Sequence, residues 1–202
     1  CEIGRQIPKA CEDHWFRLPI DRAFVARSSG LVVTGSVQSG TVVVGDKLEL
    51  QPFGRIVEVC SIQNHNEQVA RATRRQRAAL RLEGVSVEEV IRGMVLTTPG
   101  YLSPSRVLTV TLRGLAGSAE SLKHGARVSV HVGTSAVVGR LSLLDRDELP
   151  SSGHWLAQLF LDNSIVADSS SSLCRRFHSD QPPVQFCPRQ DSGWQRHVQN
   201  PH

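Results

Sequence analysis

Residues 16–50 read FRLPIDRAFVARSSGLVVTGSVQSGTVVVGDKLEL, and the fold class follows from this stretch. Apolar and polar residues mostly alternate through Leu18, Ile20, Ala23 and Val25, then at Val33 and Val37, then at Val42 and Val44. Alternation in a segment rich in β-branched residues is the pattern of strands with one buried face. Gly30, Ser39-Gly40 and Gly45-Asp46 interrupt the runs at short intervals. Glycine accepts positive φ without steric cost, so these are turn signals. The expectation is a meander of short antiparallel strands, the usual raw material of a small barrel or sandwich.

The same punctuation continues outward. Pro52-Phe53-Gly54 turns the chain, Arg55 to Gln63 alternates as a strand, and Asn64-His65-Asn66 turns it again. Arg77 to Leu82 is a further strand. Ser86 to Ile91 reads as one helical turn capped by Ser86, ended by Gly93, before Met94 to Thr97 closes the barrel. Pro99-Gly100 and Ser103-Pro104-Ser105 mark a domain boundary. Beyond it Arg106 to Leu112, Arg127 to Val132, Ala136 to Leu144 and Trp155 to Leu161 are strands of a second domain. After Val166 come Ser169 to Ser172 and then LCRRFHSDQPPVQFCPRQDSGWQRHVQNPH, polar, rich in Pro, Gln and Ser, without a period. The reading is all-β: a linker at 1–15, a first antiparallel domain at 16–98, a second at 104–166, and a disordered tail at 167–202.

Composition sets the outer limits. In 202 residues 40% are hydrophobic but only 5% aromatic, so aliphatic side chains must fill the cores. No run approaches the ~20 apolar residues of a membrane span. The first fifteen residues contain no continuous apolar segment of the kind a signal peptide needs. Five cysteines, an odd number without framework spacing, fit a reducing cytoplasm. The net charge is +4, and the base is almost all arginine, 20 against 3 lysines. Arginine's planar fork suits phosphate and carboxylate, although a GC-rich genome yields the same bias.

FRLPIDRAF, the VVTG strand leading to the VGD turn, and RIVEVCSIQNHNEQVARATRRQRAALRLEGVSVEEVIRGMVL are similar, without a gap, to the β-barrel domain II of translational GTPases. The strongest resemblance is to SelB, the selenocysteine-specific elongation factors. VVGRLSLLD resembles their domain III, and the likeness is lost near Val166. The resemblance implies a non-catalytic fragment, an antiparallel β-barrel at 16–98 followed by an incomplete second β-barrel at 104–166, that helps bind selenocysteyl-tRNA and deliver it to the ribosome. Its further partners would be the GTPase domain of the parent factor and, through other domains, an mRNA hairpin. GTP and magnesium would belong to that GTPase domain. Here there is no GxxxxGK followed by Ser or Thr to cradle phosphates, and no NKxD. A truncated piece of another translational GTPase and a nonfunctional gene remnant are the alternatives.

The resemblance also assigns a site. Asp21 and Arg22 match the family's ID-R/H pair, and Arg77 matches the arginine of its GQR or GDR turn; in the family these positions line the pocket for the selenocysteyl end. A selenol is largely ionised at neutral pH and a serine hydroxyl is not, so cationic donors in a partly dry pocket favour selenium. Without the resemblance, Asp21-Arg22 would be an ordinary surface ion pair. Arg75 stands where the family has glycine, which predicts a distorted turn and a displaced Arg77. Arg71, Arg74, Arg75 and Arg81 are candidate RNA contacts, against the plain alternative of a solvated strand edge. Cys174, His178, Cys187 and His197 have no zinc-like spacing. Nothing pairs a nucleophile with a base, so no enzyme activity is expected of these residues.

Overall fold

The computed structural model describes residues 15–26, 30–113, 122–144, 148–149, 154–167, 173–176 and 185–188. They form two compact units divided after Arg106, with His131–Val137 and Asp162–Ala167 grouped with the first. The first carries β1 (Arg17–Ala26), β2 (Gly30–Ser36), β3 (Thr41–Val43), β4 (Lys47–Gln51), β5 (Arg55–Asn64), β6 (Glu67–Val69), β7 (Arg71–Thr73), β8 (Arg77–Glu83) and β9 (Val95–Thr97). The sheet order is β4-β9-β1-β2-β8-β5-β6. A ladder between β4 and β5 joins the ends, Leu48 opposite Val57, so six strands form a closed antiparallel ring. β3 and β7 pair separately beside it.

The alternation read from the sequence is what fills the ring. Leu18, Ile20, Val33, Leu50, Leu80 and Leu96 are fully buried, with Phe16 the one aromatic among the core residues. Each such side chain contributes roughly 1.5–3 kcal/mol relative to exposure. The expected helical turn is present as a single 3-10 turn, Val87–Glu89. The Ser86 amide and hydroxyl both donate to Glu89 Oε2, each at 2.9 Å. Glu89 also pairs with Arg55. Those Ser86 bonds, more than the arginine, hold the Glu89 carboxyl below its usual value. Trp15, at the end of the expected linker, stacks on Tyr101 with ring centroids 5.5 Å apart; the rest of that linker lies outside the described residues.

Beyond the first ring come β10 (Ser105–Arg113), β11 (Leu122–Lys123), β12 (Arg127–Val132), β13 (Ser135–Leu143), β14 (Glu148–Leu149), β15 (His154–Ile165), β16 (Leu173–Arg176) and β17 (Gln185–Pro188). Val128 and Val130, Leu141 and Leu143, and Ala157, Leu159 and Leu161 point inward along their strands. The sequence reading leaves this second barrel incomplete at 166, and the structure corrects it. β16 and β17 pair with each other, and β17 pairs with β10, Leu112 opposite Phe186. The order β10-β15-β13-β12-β16-β17 is a closed barrel. Two four-residue strands inside a polar, Pro-rich segment are too short to register as a period. The remaining tail residues lie outside the described ones.

Gly35 shows how tightly the first ring is drawn. It lies opposite Ile20, and a Cβ there would sit 2.3 Å from the Pro19 carbonyl oxygen and 2.6 Å from Leu18 Cδ2. Gly35→Ala is expected to lower stability by about 1–3 kcal/mol, read as a lower urea midpoint at unchanged slope. Glu89→Ala is expected to lower thermal stability at neutral pH. A carboxylate with a depressed folded pKa stabilises above its unfolded pKa and loses that contribution as pH falls through the folded one. The difference between Glu89→Ala and wild type should therefore close in acid, as melting curves across pH will show.

Candidate functional site

The site begins with one extra residue. Along β1 and β2, Ile20 lies opposite Gly35, but the next pair is Arg22 with Thr34, so Asp21 is a bulge. A bulge reverses the inward and outward phase of its strand. Before it Leu18 and Ile20 are buried; after it Ala23 packs against the core while Arg22 and Phe24 are exposed. An unbroken strand with Ile20 facing in would also send Arg22 in. The bulge instead puts Asp21 and Arg22, adjacent in sequence, on the outer face together.

β2 and β8 continue that face. Thr34 lies beside Ala79, and Ser36 beside Arg77. The Thr34 hydroxyl donates to Asp21 Oδ1 at 2.5 Å, and Arg77 Nη2 donates to Asp21 Oδ2 at 2.5 Å. Both carboxylate oxygens are thus held. Asp21 is 20% exposed and Arg77 59%. The Arg22 side chain has no hydrogen bond or ion pair among the described residues. Two guanidinium groups share the face with one carboxylate, which leaves a surplus cation open to an anionic ligand.

Beside Arg77 is a groove of about 330 Å³ lined by Thr34, Gln63, His65, Asn66, Ala78 and Ala79. Its wall is the β5–β6 turn, where His65 and Asn66 have φ of 51° and 66°. Positive φ at both central residues is the geometry of a tight two-residue hairpin. The sequence reading has Asn64-His65-Asn66 as a turn and gives His65 no further role. The ladder pairing Asn64 with Glu67 and Gln63 with Ala79 brings it to the site.

The four candidate RNA arginines do not form one cluster with Arg77. Arg81 is on the outer face of β8, opposite Val32 on one side and Ser61 on the other. Arg71 is exposed on β7, and Arg74 and Arg75 are exposed in the turn before β8. The expected distortion of that turn is corrected. Arg75 adopts a φ of 70°, the conformation a glycine would take. The Arg75 amide donates to the Val37 carbonyl at 2.9 Å, Gln76 N to the Thr73 carbonyl at 3.1 Å, and Thr73 N to Gln76 Oε1 at 2.8 Å. The turn is intact and Arg77 reaches Asp21.

Other chemistry finds little footing here. Among the described residues no group of three His, Cys, Asp or Glu side chains can hold a metal ion. His178, His197 and the side chains of Cys174 and Cys187 lie outside them. Burial, then the Glu83 carboxylate, pushes the Cys60 thiol up, which makes it a poor nucleophile. Among the described residues no helix is long and apolar enough to cross a membrane. Because Arg77 is more than half exposed, solvent screens its pair with Asp21. A double-mutant cycle of Asp21→Ala and Arg77→Ala should give a coupling of about 0.2–1 kcal/mol in unfolding free energy. A larger coupling would make the pair a structural clamp.

Comparison with known proteins agrees with the two-barrel fold. The family described as Elongation factor Tu domain 2 matches residues 30–97, and Selenocysteine-specific elongation factor, beta-barrel domain, matches residues 108–181. The second match runs past Val166, where the sequence reading loses the likeness. The chain is 39% identical over 134 residues to the selenocysteine-specific elongation factor of Desulfomicrobium baculatum, covering 66% of this chain and 21% of that protein. It is 32% identical over 174 residues to the Escherichia coli protein of the same name, covering 84% and 26%. A crystal structure of bacterial selenocysteine-specific elongation factor EF-Sec superposes with a TM-score of 0.75 at 26% identity, over 92% of this chain and 30% of that one. The chain thus spans about a fifth to a quarter of the length of these curated relatives.

Proposed function

We propose that this chain, which belongs to the selenocysteine-specific elongation factor family through its two β-barrel domains, carries the face that reads the aminoacyl end of selenocysteyl-tRNA on its way to the ribosome. The barrels are binding modules. Nucleotide chemistry, with GTP and magnesium, is the work of the family's GTPase domain, against which they act in the cytoplasm.

The observation that carries this reading is the Asp21–Arg77 contact with Arg22 on the same outer face. An incoming selenolate is a compact anion. It finds the Arg22 guanidinium without a partner among the described residues and Arg77 with donors to spare, since Arg77 gives one Nη to Asp21 and a guanidinium has five N–H groups. Asp21, fixed by Thr34, keeps Arg77 aimed across the face when no ligand is present. A serine hydroxyl at the same place brings no charge, so its hydrogen bond to the guanidinium lacks the attraction between opposite charges that the selenolate adds. Discrimination therefore comes from the ionisation of the ligand, with no need for a difference in shape between selenium and oxygen.

The test uses a full-length factor carrying these barrels. Arg77→Ala is expected to weaken selenocysteyl-tRNA binding by about tenfold or more, as loss of one charged hydrogen bond implies, and seryl-tRNA binding much less. Equal losses for the two tRNAs would show that Arg77 holds RNA or structure and does not read selenium.

A further inference from the structure

The carboxylate of Asp21 is held by Thr34 and Arg77, but the direction in which Asp21 leaves its strand is set from behind. The ladder between β1 and β9 ends at Pro19, opposite Val95, one residue short of Ile20. Past that point other groups take over. The Ile20 amide donates to the Met94 carbonyl at 2.8 Å, and the Ile20 carbonyl accepts from the Gly93 amide at 3.1 Å. The same carbonyl accepts a second bond, from the Thr134 hydroxyl, at 2.6 Å. Thr134 lies in the two-residue turn between β12 and β13, which is grouped with the first unit. Gly133 opens that turn with a φ of 57°, where a two-residue hairpin calls for glycine. The approach is close: a Cβ on Gly133 would stand 3.0 Å from Pro19 Cγ, and one on Gly93 would stand 3.2 Å from Ser135 Cα. The turn is seated directly against the part of β1 that leads into the bulge.

We propose that Thr134 is a positioning residue for the Asp21–Arg77 site: its hydroxyl fixes the peptide group between Ile20 and Asp21, and with it the bulge that turns Asp21 and Arg22 outward together. A peptide group is planar, so holding the Ile20 oxygen also fixes the Asp21 nitrogen and the path of the chain into Arg22. A binding site tolerates only small errors in the placement of its groups. The hydroxyl is not needed to satisfy the carbonyl. A carbonyl oxygen has two acceptor positions, and the Gly93 amide already fills one. Removing the hydroxyl therefore leaves no orphaned polar group, and its contribution is to direction more than to closure of the ring. That the positioned groups read a selenolate rests on the function proposed above; that Thr134 positions them does not.

Two variants of the isotopically labelled full chain are compared with wild type. Thr134→Val keeps the shape and removes the hydroxyl; Thr134→Ser keeps the hydroxyl. Without ligand, Thr134→Val is expected to move the resonances of the Ile20 carbonyl carbon and of the Asp21 and Arg22 amides, and to melt close to wild type. Thr134→Ser is expected to bring those resonances back. In a titration with selenocysteine methyl ester at neutral pH, Thr134→Val should bind several-fold more weakly and Thr134→Ser like wild type, while serine methyl ester separates none of the three. The proposal is overturned if Thr134→Val melts lower with the Asp21 and Arg22 resonances unmoved, since the hydroxyl would then only close the turn. It is also overturned if Thr134→Ser does not restore them, or if wild type binds the selenium ester and Thr134→Val binds it equally well. Failure of wild type to distinguish the two esters, with the ligand-free resonances moved and restored as expected, would remove the proposed function and leave Thr134 as the residue that orients Asp21 and Arg22.

Discussion

The single inserted residue at Asp21 governs the geometry of the first barrel's outer, arginine-bearing face. A β-strand in a closed ring has no freedom to choose which side chains point outward; its partners' register and the core decide. Leu18 and Ile20 must face inward to pack, and that alone would commit Arg22 to the interior. One bulge lets both demands be met. It also explains why Gly35 stands opposite Ile20: the strands approach there until a Cβ would overlap the Pro19 carbonyl. The VVTG phrase is therefore two requirements in one place, a threonine hydroxyl for Asp21 and a glycine for the close approach.

Stability and recognition are kept on opposite sides of the same strands. The inner face is aliphatic and closed, and it owes nothing to charge. The outer face holds half-exposed ions whose mutual attraction is small in water. That separation lets the site carry a surplus cation without straining the fold. It also means that the arginines can be exchanged with little effect on folding, so their effects on binding can be measured cleanly. The second barrel shows the limiting case of closure by small pieces, with β16 and β17 joining β12 to β10.

Most strands were legible because the alternation of apolar residues is imposed by the same sheet geometry that the structure displays. The bulge was legible too, in a weak form. Between Leu18, Ile20 and Ala23, Val25 the spacing lengthens from two residues to three, and that change of phase was absorbed into a general alternation. Asp21, Arg22 and Arg77 were located by resemblance, since nothing in their local spacing brings residues 21 and 77 together; only the β1-β2-β8 register does. His65 was invisible as a groove residue for the same reason. Arg75 was expected to disturb its turn because glycine is the usual left-handed residue, yet the Arg75 amide's bond to the Val37 carbonyl and the bonds between Thr73 and Gln76 outweigh that preference. The tail was misread where average composition concealed two short strands.

The central claim is that this face distinguishes ligands by charge. The most direct measurement is an amide chemical-shift titration of the isotopically labelled chain with selenocysteine methyl ester and, in parallel, serine methyl ester at neutral pH. The account predicts shifts at Arg22, Thr34 and Arg77 that saturate with the selenolate and are weak or absent with serine, and that fade when acid protonates the selenol. Shifts of equal size with both esters, or shifts centred away from the β1-β2-β8 face, would contradict it.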